Sequence, residues 1–379
     1  MSDTPAAGDR LLRRLRLLVE LETPSGNLPA LRGALELLAG MVREDLGRDP
    51  AVVELEGGVP ALLLEAAREP RVLLLCHVDT VWPVGTLAAF PFAVAGDRAT
   101  GPGTFDMKGG LVVALEAIRR SAARDHVTLL VTADEETGSA ASRPLIERTA
   151  GACAAVLVLE GSGPGGSLKH ARKGVGIYDM EIEGRAAHAG TEPGLGVNAT
   201  VELAHLVLDL TGLADAAAGT SVTPTVASSG TTTNTVPAAA RLGVDVRAWR
   251  ASELQRVDAA IRGRAPVLPG AVVHVHGGPN RPPLEVERSA GLLALARDVA
   301  TELGLGELGS SAVGGGSDGN FTAGMGVPTL DGLGAIGGNG HAPGEWVDTA
   351  SLPARARLVA RLAERIVEGT RAGVEGAAP

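Results

Sequence analysis

RVLLLCHVDTV, residues 71–81, is apolar almost without a break as far as Cys76 and turns polar at His77, Asp79 and Thr80. A strand that is apolar at every position has no face left for solvent, so it belongs at the centre of a sheet covered on both sides. Open sheets of that kind place their ligands beyond the carboxyl ends of the strands. The polar residues that close this stretch are therefore the first candidates for chemistry. In a strand the side-chain period is two, which puts His77 and Asp79 on the same side.

Outward from this strand the pattern repeats. Upstream, residues 9–47 hold two helical patterns separated by TPSGN (23–27), followed by the β-type runs AVVELE and ALLLEAA. Downstream come a helix over 107–122, the strand VTLLVTAD (127–134), a helix over 139–150 and the strand AAVLVLE (154–160). Alternating buried strands and helices predict an α/β fold, a mostly parallel sheet with helices on both faces. After GSGPGGS (161–167) the pattern changes. VGIYDMEIEG (175–184) alternates as a half-buried strand, 197–210 is helical, strands follow around 225–230 and 235–248, 251–263 is helical and AVVHVHGG (271–278) is a last strand. That β-α-β-β-α-β order is the ferredoxin-like unit. The expected organisation is a discontinuous catalytic domain, 1–173 and 284–379, with an inserted ferredoxin-like α+β domain at 174–283. The last residues, GVEGAAP (373–379), carry no pattern and are expected to be disordered.

Composition narrows the function classes. At 379 residues, two domains is the sensible expectation. A net charge of −10 leaves no basic excess to neutralise phosphates, which excludes general nucleic-acid binding. Cys76 and Cys153 lie inside apolar runs, where buried thiols fit a reducing compartment better than a disulfide. The N-terminal GDRLLRRLRLLVELE interleaves arginine with leucine, unlike a signal peptide, and no apolar run is long enough to span a membrane. A cytoplasmic protein is expected, with no membrane partner.

Five segments put polar groups where strands end: CHVDTV (76–81), GPGTFDMKGG (101–110), TADEETGS (132–139), VLEGS (158–162) and GNGHAPGEWVD (338–348). Each has a bland reading by itself. Asp106 would cap the helix that Gly109 and Gly110 open, His77 would be a satisfied histidine at a strand end, and Glu135–Glu136 would be a solvated acidic turn. Together they make an inventory of metal ligands: His77, Asp106, Glu136, Glu160 and His341, with Glu135 to spare and Asp79 placed to orient the His77 ring. Glu160 after AAVLVL would be costly to bury without a partner. Mixed nitrogen and oxygen donors suit zinc, with cobalt or manganese as alternatives. Two divalent ions sharing Asp106 account for all five ligands.

HVDTV, GDRATGPGTFDMKGG, DEETGS, VLEGS, RAAHAGTEPGLGVNA, NTVPAAARLGVDVRA, GGGSDGNF and GHAPGEWVD stand in this order along nearly the whole chain. In this the sequence resembles the co-catalytic zinc exopeptidases, the family that includes glutamate carboxypeptidase, aminoacylase and acetylornithine deacetylase. Through GxLAxxPFxVxGDxAxGPG (85–103) and SRPLIE (142–147) it is most like the carboxypeptidase G branch. The resemblance implies a bridging Asp106, one zinc held also by His77 and Glu160, and the other by Glu136 and His341. It implies Glu135 as general base, Asp79 as support to His77, and a cis peptide between Asp106 and Met107. It implies a dimerisation role for the inserted domain, whose His188 stabilises the oxyanion in the partner subunit's site, while Asn234, Arg247 and Arg281 hold the substrate's carboxylates. Met107 departs from the acidic residue frequent in that branch.

The expected activity is hydrolysis of an amide bond releasing an amino acid with a free carboxylate, glutamate first, from a small peptide or N-acyl amino acid, by a homodimer. The alternatives are a biosynthetic deacylase of the acetylornithine or succinyl-diaminopimelate type and, further off, a dipeptidase or aminopeptidase, which would want an acidic anchor for the substrate amine. A non-catalytic binding module that has kept the fold would be expected to have lost Glu135 or some of the ligands, and all are present.

Overall fold

A computed structural model describes residues 4–375. The described residues divide into two compact units, one made of 4–171, 284–313 and 317–375, the other of Arg172–Pro283 with Gly314–Gly316.

The first unit is built on a six-stranded sheet. In chain order its strands are β1 (Ala51–Glu54), β2 (Pro60–Leu64), β3 (Val72–His77), β4 (Val127–Thr132), β5 (Ala155–Val158) and β6 (Thr329–Leu330), and in space they run β1-β2-β4-β3-β5-β6. β4, β3, β5 and β6 run parallel to one another, with Cys76 opposite Val131 and Leu75 opposite Val158. The β1–β2 and β2–β4 pairings are antiparallel. Those two early strands follow one another through a short turn, and a parallel pairing there would need a crossover helix that the sequence does not supply.

Every residue of β3 is buried, as its composition predicts. The period of two sends Leu74 and Cys76 into one core and Leu73 and Leu75 into the other. The larger core is covered by α1 (Thr4–Val19), α2 (Leu28–Leu46), α3 (Gly109–Arg120), α5 (Val286–Glu302) and α6 (Leu352–Glu375); the smaller by α4 (Arg143–Gly151) and the short helix Gly319–Gly324. Asn27 accepts a bond from the Ala30 N–H at 3.3 Å and so caps α2 at the end of TPSGN. Gly110 is required where α3 passes β5: a Cβ there would lie 1.9 Å from the Leu159 carbonyl oxygen. Residues 373–375 are the last of α6, and 376–379 lie outside the described residues. No helix among the described residues is long and apolar enough to cross a membrane.

The second unit holds a four-stranded antiparallel sheet in the order Ser221–Ser229, Ala239–Ala248, Gly174–Glu183, Val272–Arg281. Helices Ala199–Thr211 and Ala251–Gly263 lay Leu203, Leu206, Leu210, Leu254, Val257 and Ile261 on one face, against Tyr178, Met180, Ile182, Leu242, Val244 and Val246. The expected single strand over 235–248 is interrupted: Thr235–Val236 pairs with Ala187–His188, and the long strand starts at Ala239. Pro237 has no N–H to give a ladder, which is why the break falls there.

Candidate metal and catalytic site

The first unit gathers His77, Asp106, Glu136, Glu160 and His341 into one cluster at the carboxyl ends of the parallel strands. His77 closes β3. Its Nε2 lies 3.2 Å from Asp106 Oδ1 and 3.4 Å from Glu160 Oε1. His341 Nε2 lies 3.1 Å from Asp106 Oδ2 and 3.1 Å from Glu136 Oε1. Each oxygen of Asp106 thus faces a different imidazole–carboxylate pair. His77, Asp106 and Glu136 alone can offer three donor atoms within 4.8 Å of one another.

Local structure explains how each group is aimed. Asp106 sits in the turn Thr104–Lys108 that opens α3, after Gly103 at φ 73°, and the Asp106–Met107 peptide is cis, as the resemblance implies. His341 has φ 62° and Asn339 φ 59°, left-handed values that a residue with a Cβ seldom takes. Such conformations persist where surrounding contacts impose them, commonly at functional sites. Glu135 and Glu136 open the turn after β4, and both are partly buried.

Asp79 does more than orient a ring. The His77 Nδ1 is 3.0 Å from the Asp79 main-chain oxygen and 3.4 Å from its carboxylate. A proton on Nδ1 shared with that oxygen leaves Nε2 with its lone pair toward Asp106 and Glu160, the tautomer a metal ligand needs. The Asp79 carboxylate meanwhile accepts the N–H groups of Glu135 and Glu136, both at 3.2 Å, and the Ser25 hydroxyl at 2.7 Å. It pins the turn that carries the acidic pair. Ser25, in the TPSGN turn, was not among the residues expected to matter. Nor was Asp318 of GGGSDGNF, which accepts the Thr132 hydroxyl at 2.9 Å and that of Ser139, one on each side of Glu135–Glu136. An acidic residue set among glycines, with small hydroxyl residues flanking the acidic turn, was the available signal.

The electrostatics of the cluster follow from its carboxylates. Burial works against a charged His77 ring, yet Asp106, Asp79 and Glu160 outweigh it and hold the ring well above the ordinary histidine value. Asp106 and Glu136 push His341 up to about 11. Burial raises the Asp106 carboxyl, but His341 and His77 bring it well below the carboxylate range; burial pushes Glu136 up. The carboxylates favour positive charge at this cluster, and a divalent cation supplies it as a proton does. The spacing agrees: donors at zinc's usual 2.0–2.2 Å on a tetrahedron stand about 3.4 Å apart, and the donor atoms here are 3.1–3.4 Å apart. The residues present fit a metal centre.

The remaining candidates lie in the second unit. His188 is exposed, and its Nδ1 accepts the N–H groups of Gly190 at 3.0 Å and Thr191 at 3.1 Å. Asn234 is exposed, and its main-chain oxygen accepts the Ala189 N–H at 2.9 Å, beside His188. Arg247 bonds the Asp245 carboxylate through Nε and Nη2, both at 2.9 Å, on the sheet face opposite Val244, Val246 and Ala248. Arg281 is buried at the end of Val272–Arg281, opposite Val175.

Residues 73–365 match Peptidase family M20/M25/M40. Carboxypeptidase G2 of Pseudomonas sp. (strain RS-16) is 34% identical over 370 residues, covering 93% of this chain and 88% of that protein. Aminopeptidase PepT of Bacillus cereus ATCC 10987 superposes with a TM-score of 0.73 at 21% identity, over 95% of this chain and 99% of the other. The YXEP protein of Bacillus subtilis, a dinuclear metal-binding peptidase from family M20, gives 0.68 at 16% identity, over 96% and 99%. The chain belongs to the M20/M25/M40 peptidase family and is a metallopeptidase of the carboxypeptidase-like kind.

Proposed function

We propose that this metallopeptidase hydrolyses an amide bond to release a C-terminal amino acid with a free carboxylate, glutamate first, from a small peptide or N-acyl amino acid. The observation that carries the reading is Asp106, whose two oxygens each face one imidazole and beyond it one further carboxylate. His77 and Glu160 would hold one divalent ion, Glu136 and His341 the other, with Asp106 shared and zinc the first choice over cobalt or manganese. Bound there, such ions supply Lewis-acid polarisation of the carbonyl and make water acidic near neutral pH. Glu135 is the base: it takes the water's proton and hands it to the leaving amine. Asp79 holds the Nδ1 proton of His77, so that Nε2 is the nitrogen turned toward the ion, and holds the Glu135–Glu136 turn in place.

The second unit is read as the dimerisation domain. Its outer strands, Ser221–Ser229 and Val272–Arg281, leave sheet edges that a second copy can cover. His188 is assigned the oxyanion in the partner subunit's site, and Asn234, Arg247 and Arg281 the substrate's carboxylates. The 34% identity with a carboxypeptidase supports a free carboxylate on the leaving group. Cys76 and Cys153 are free thiols, which supports a reducing, cytoplasmic setting.

A panel of N-acyl amino acids, dipeptides and carboxyl-amidated analogues, assayed with the metal-loaded enzyme, tests this reading. Acyl-glutamates and other free acids are expected to be cleaved and the amidated analogues spared. Preference for substrates with a free amine and a blocked carboxylate would overturn it in favour of an aminopeptidase, and exclusive turnover of acetylornithine or succinyl-diaminopimelate in favour of the biosynthetic deacylase.

A further inference from the structure

Glu345 has no solvent exposure and stands four residues after His341 in HAPGE. Its Oε1 accepts the N–H groups of Phe105 at 2.8 Å and Asp106 at 2.9 Å; its Oε2 accepts those of Gly103 at 2.9 Å and the Trp82 indole at 2.8 Å. Three of the four donors are backbone amides of the turn that carries Asp106. Amides converging in this way make a concave site for an anion, and here the chain fills it with its own carboxylate, brought from the far end of the sequence. The same short loop supplies His341, whose Nε2 meets Asp106 Oδ2 at 3.1 Å.

We propose that Glu345 is the positioning residue of the metal centre: by gripping the amides of Gly103, Phe105 and Asp106 it fixes the Asp106 carboxylate against the His341 loop. This rests on the reading of the cluster as a metal site. Glu345 acts through the backbone of one ligand and the loop of another, and has no part in the reaction itself. The role demands an ionised carboxylate. All four partners are donors, so an amide in its place would turn an NH2 group toward one pair of them and lose both bonds, while keeping the shape. An aspartate keeps the charge but is one methylene too short to serve the same four donors.

The test compares wild type, Glu345→Gln and Glu345→Asp, each metal-free and titrated with cobalt(II). Three readouts are taken: hydrogen exchange at the amides of Gly103, Phe105 and Asp106, cobalt affinity, and the visible absorption of the cobalt form. Partners one step removed from a metal typically change affinity by about 10–100-fold. Glu345→Gln is expected to fold, to exchange those amides at least about tenfold faster in the metal-free state, to bind cobalt about 10–100-fold more weakly, and to show a displaced absorption band. Glu345→Asp should fall between; if Glu345→Gln fails to fold, a displaced band in Glu345→Asp carries the test. Faster exchange with wild-type cobalt affinity and spectrum in both variants would overturn the proposal, leaving Glu345 a structural residue. A wild-type chain that takes up no cobalt would sink the reading of the site, and this proposal with it.

Discussion

Asp106 and Glu116 lie at the start and toward the end of the same segment, the turn and helix that run from Thr104 to Arg120, and both are largely withdrawn from water. They are answered in opposite ways. Glu116 accepts from Arg10 at 2.7 Å, from Arg119 at 2.9 Å and from Arg120, and these guanidiniums outweigh burial and hold its carboxyl at about 2. Asp106 meets His77 and His341. A guanidinium is charged at every physiological pH, whereas an imidazole is ordinarily neutral near pH 7. A buried charge without a partner costs several kcal/mol, and for Glu116 the chain settles that cost by itself. For Asp106 and Glu136 it does so only while protons stay on the rings. Glu116 is closed off by fixed cations, whereas Asp106 faces imidazoles whose nitrogens can themselves serve as metal ligands.

Removing the shared carboxylate is the sharpest way to break this contrast. Asp106→Ala is expected to bind at most one ion per chain in a cobalt titration and to lose more activity than any other single change. Two ions bound with native affinity would put Asp106 in the same class as Glu116. Glu135→Ala comes next. It should keep the full metal content while kcat falls by about 10²–10⁴, the usual range for loss of a general base. Near-normal turnover in a metal-replete variant would remove Glu135 from its role.

The parts of the site that sequence made legible are those with a local signature. His77, Glu136 and Glu160 each follow an apolar run where a strand ends, and Asp106 and His341 sit in glycine-rich loops too irregular for packing. What brings Asp106 to His341 was not legible, because Glu345 works through backbone amides more than two hundred residues upstream and an amide leaves no mark on composition. The main-chain oxygen of Asp79 escaped for the same reason: the side-chain period points to the carboxylate, while the nearer acceptor for His77 belongs to the backbone. In the sheet, an all-apolar β3 could be placed at the centre, but the direction of β2 depends on the length of the turn before it, and its composition is the same either way.

Glu116→Gln sharpens the other side of the comparison. A carboxyl moved from 4.5 to about 2 contributes, at about 1.4 kcal/mol per unit, an upper limit of about 3.5 kcal/mol to stability. The folded value is the lower one, so this stability is present in full above pH 4.5 and drains away as pH falls toward 2. Denaturant unfolding should find Glu116→Gln about 2–3 kcal/mol less stable than wild type at pH 7, with the two converging in acid. A gap that persists unchanged at low pH would mean packing, not charge, holds Glu116.

Arg247 tests the contrast where the expected effect on stability is smallest. With Asp245 it forms a half-exposed pair within one strand, both side chains 32% exposed, on the face turned away from the core of the second unit. Pairs of that kind contribute about 0–1 kcal/mol, so Arg247→Lys should leave the unfolding midpoint nearly where it was. Its effect on catalysis is expected to be much larger and selective. A guanidinium grips a carboxylate through two parallel bonds and an ammonium cannot, so kcat/KM should fall strongly for free-acid substrates and hardly at all for their carboxyl amides, which are poor from the start. That pattern would show an arginine whose neighbouring carboxylate is a resting partner, exchanged for the substrate's own. If free acid and amide lose activity in equal measure, Asp245 is its permanent partner; Arg247 then belongs with the arginines of Glu116, and the preference for a free carboxylate must be sought in other residues.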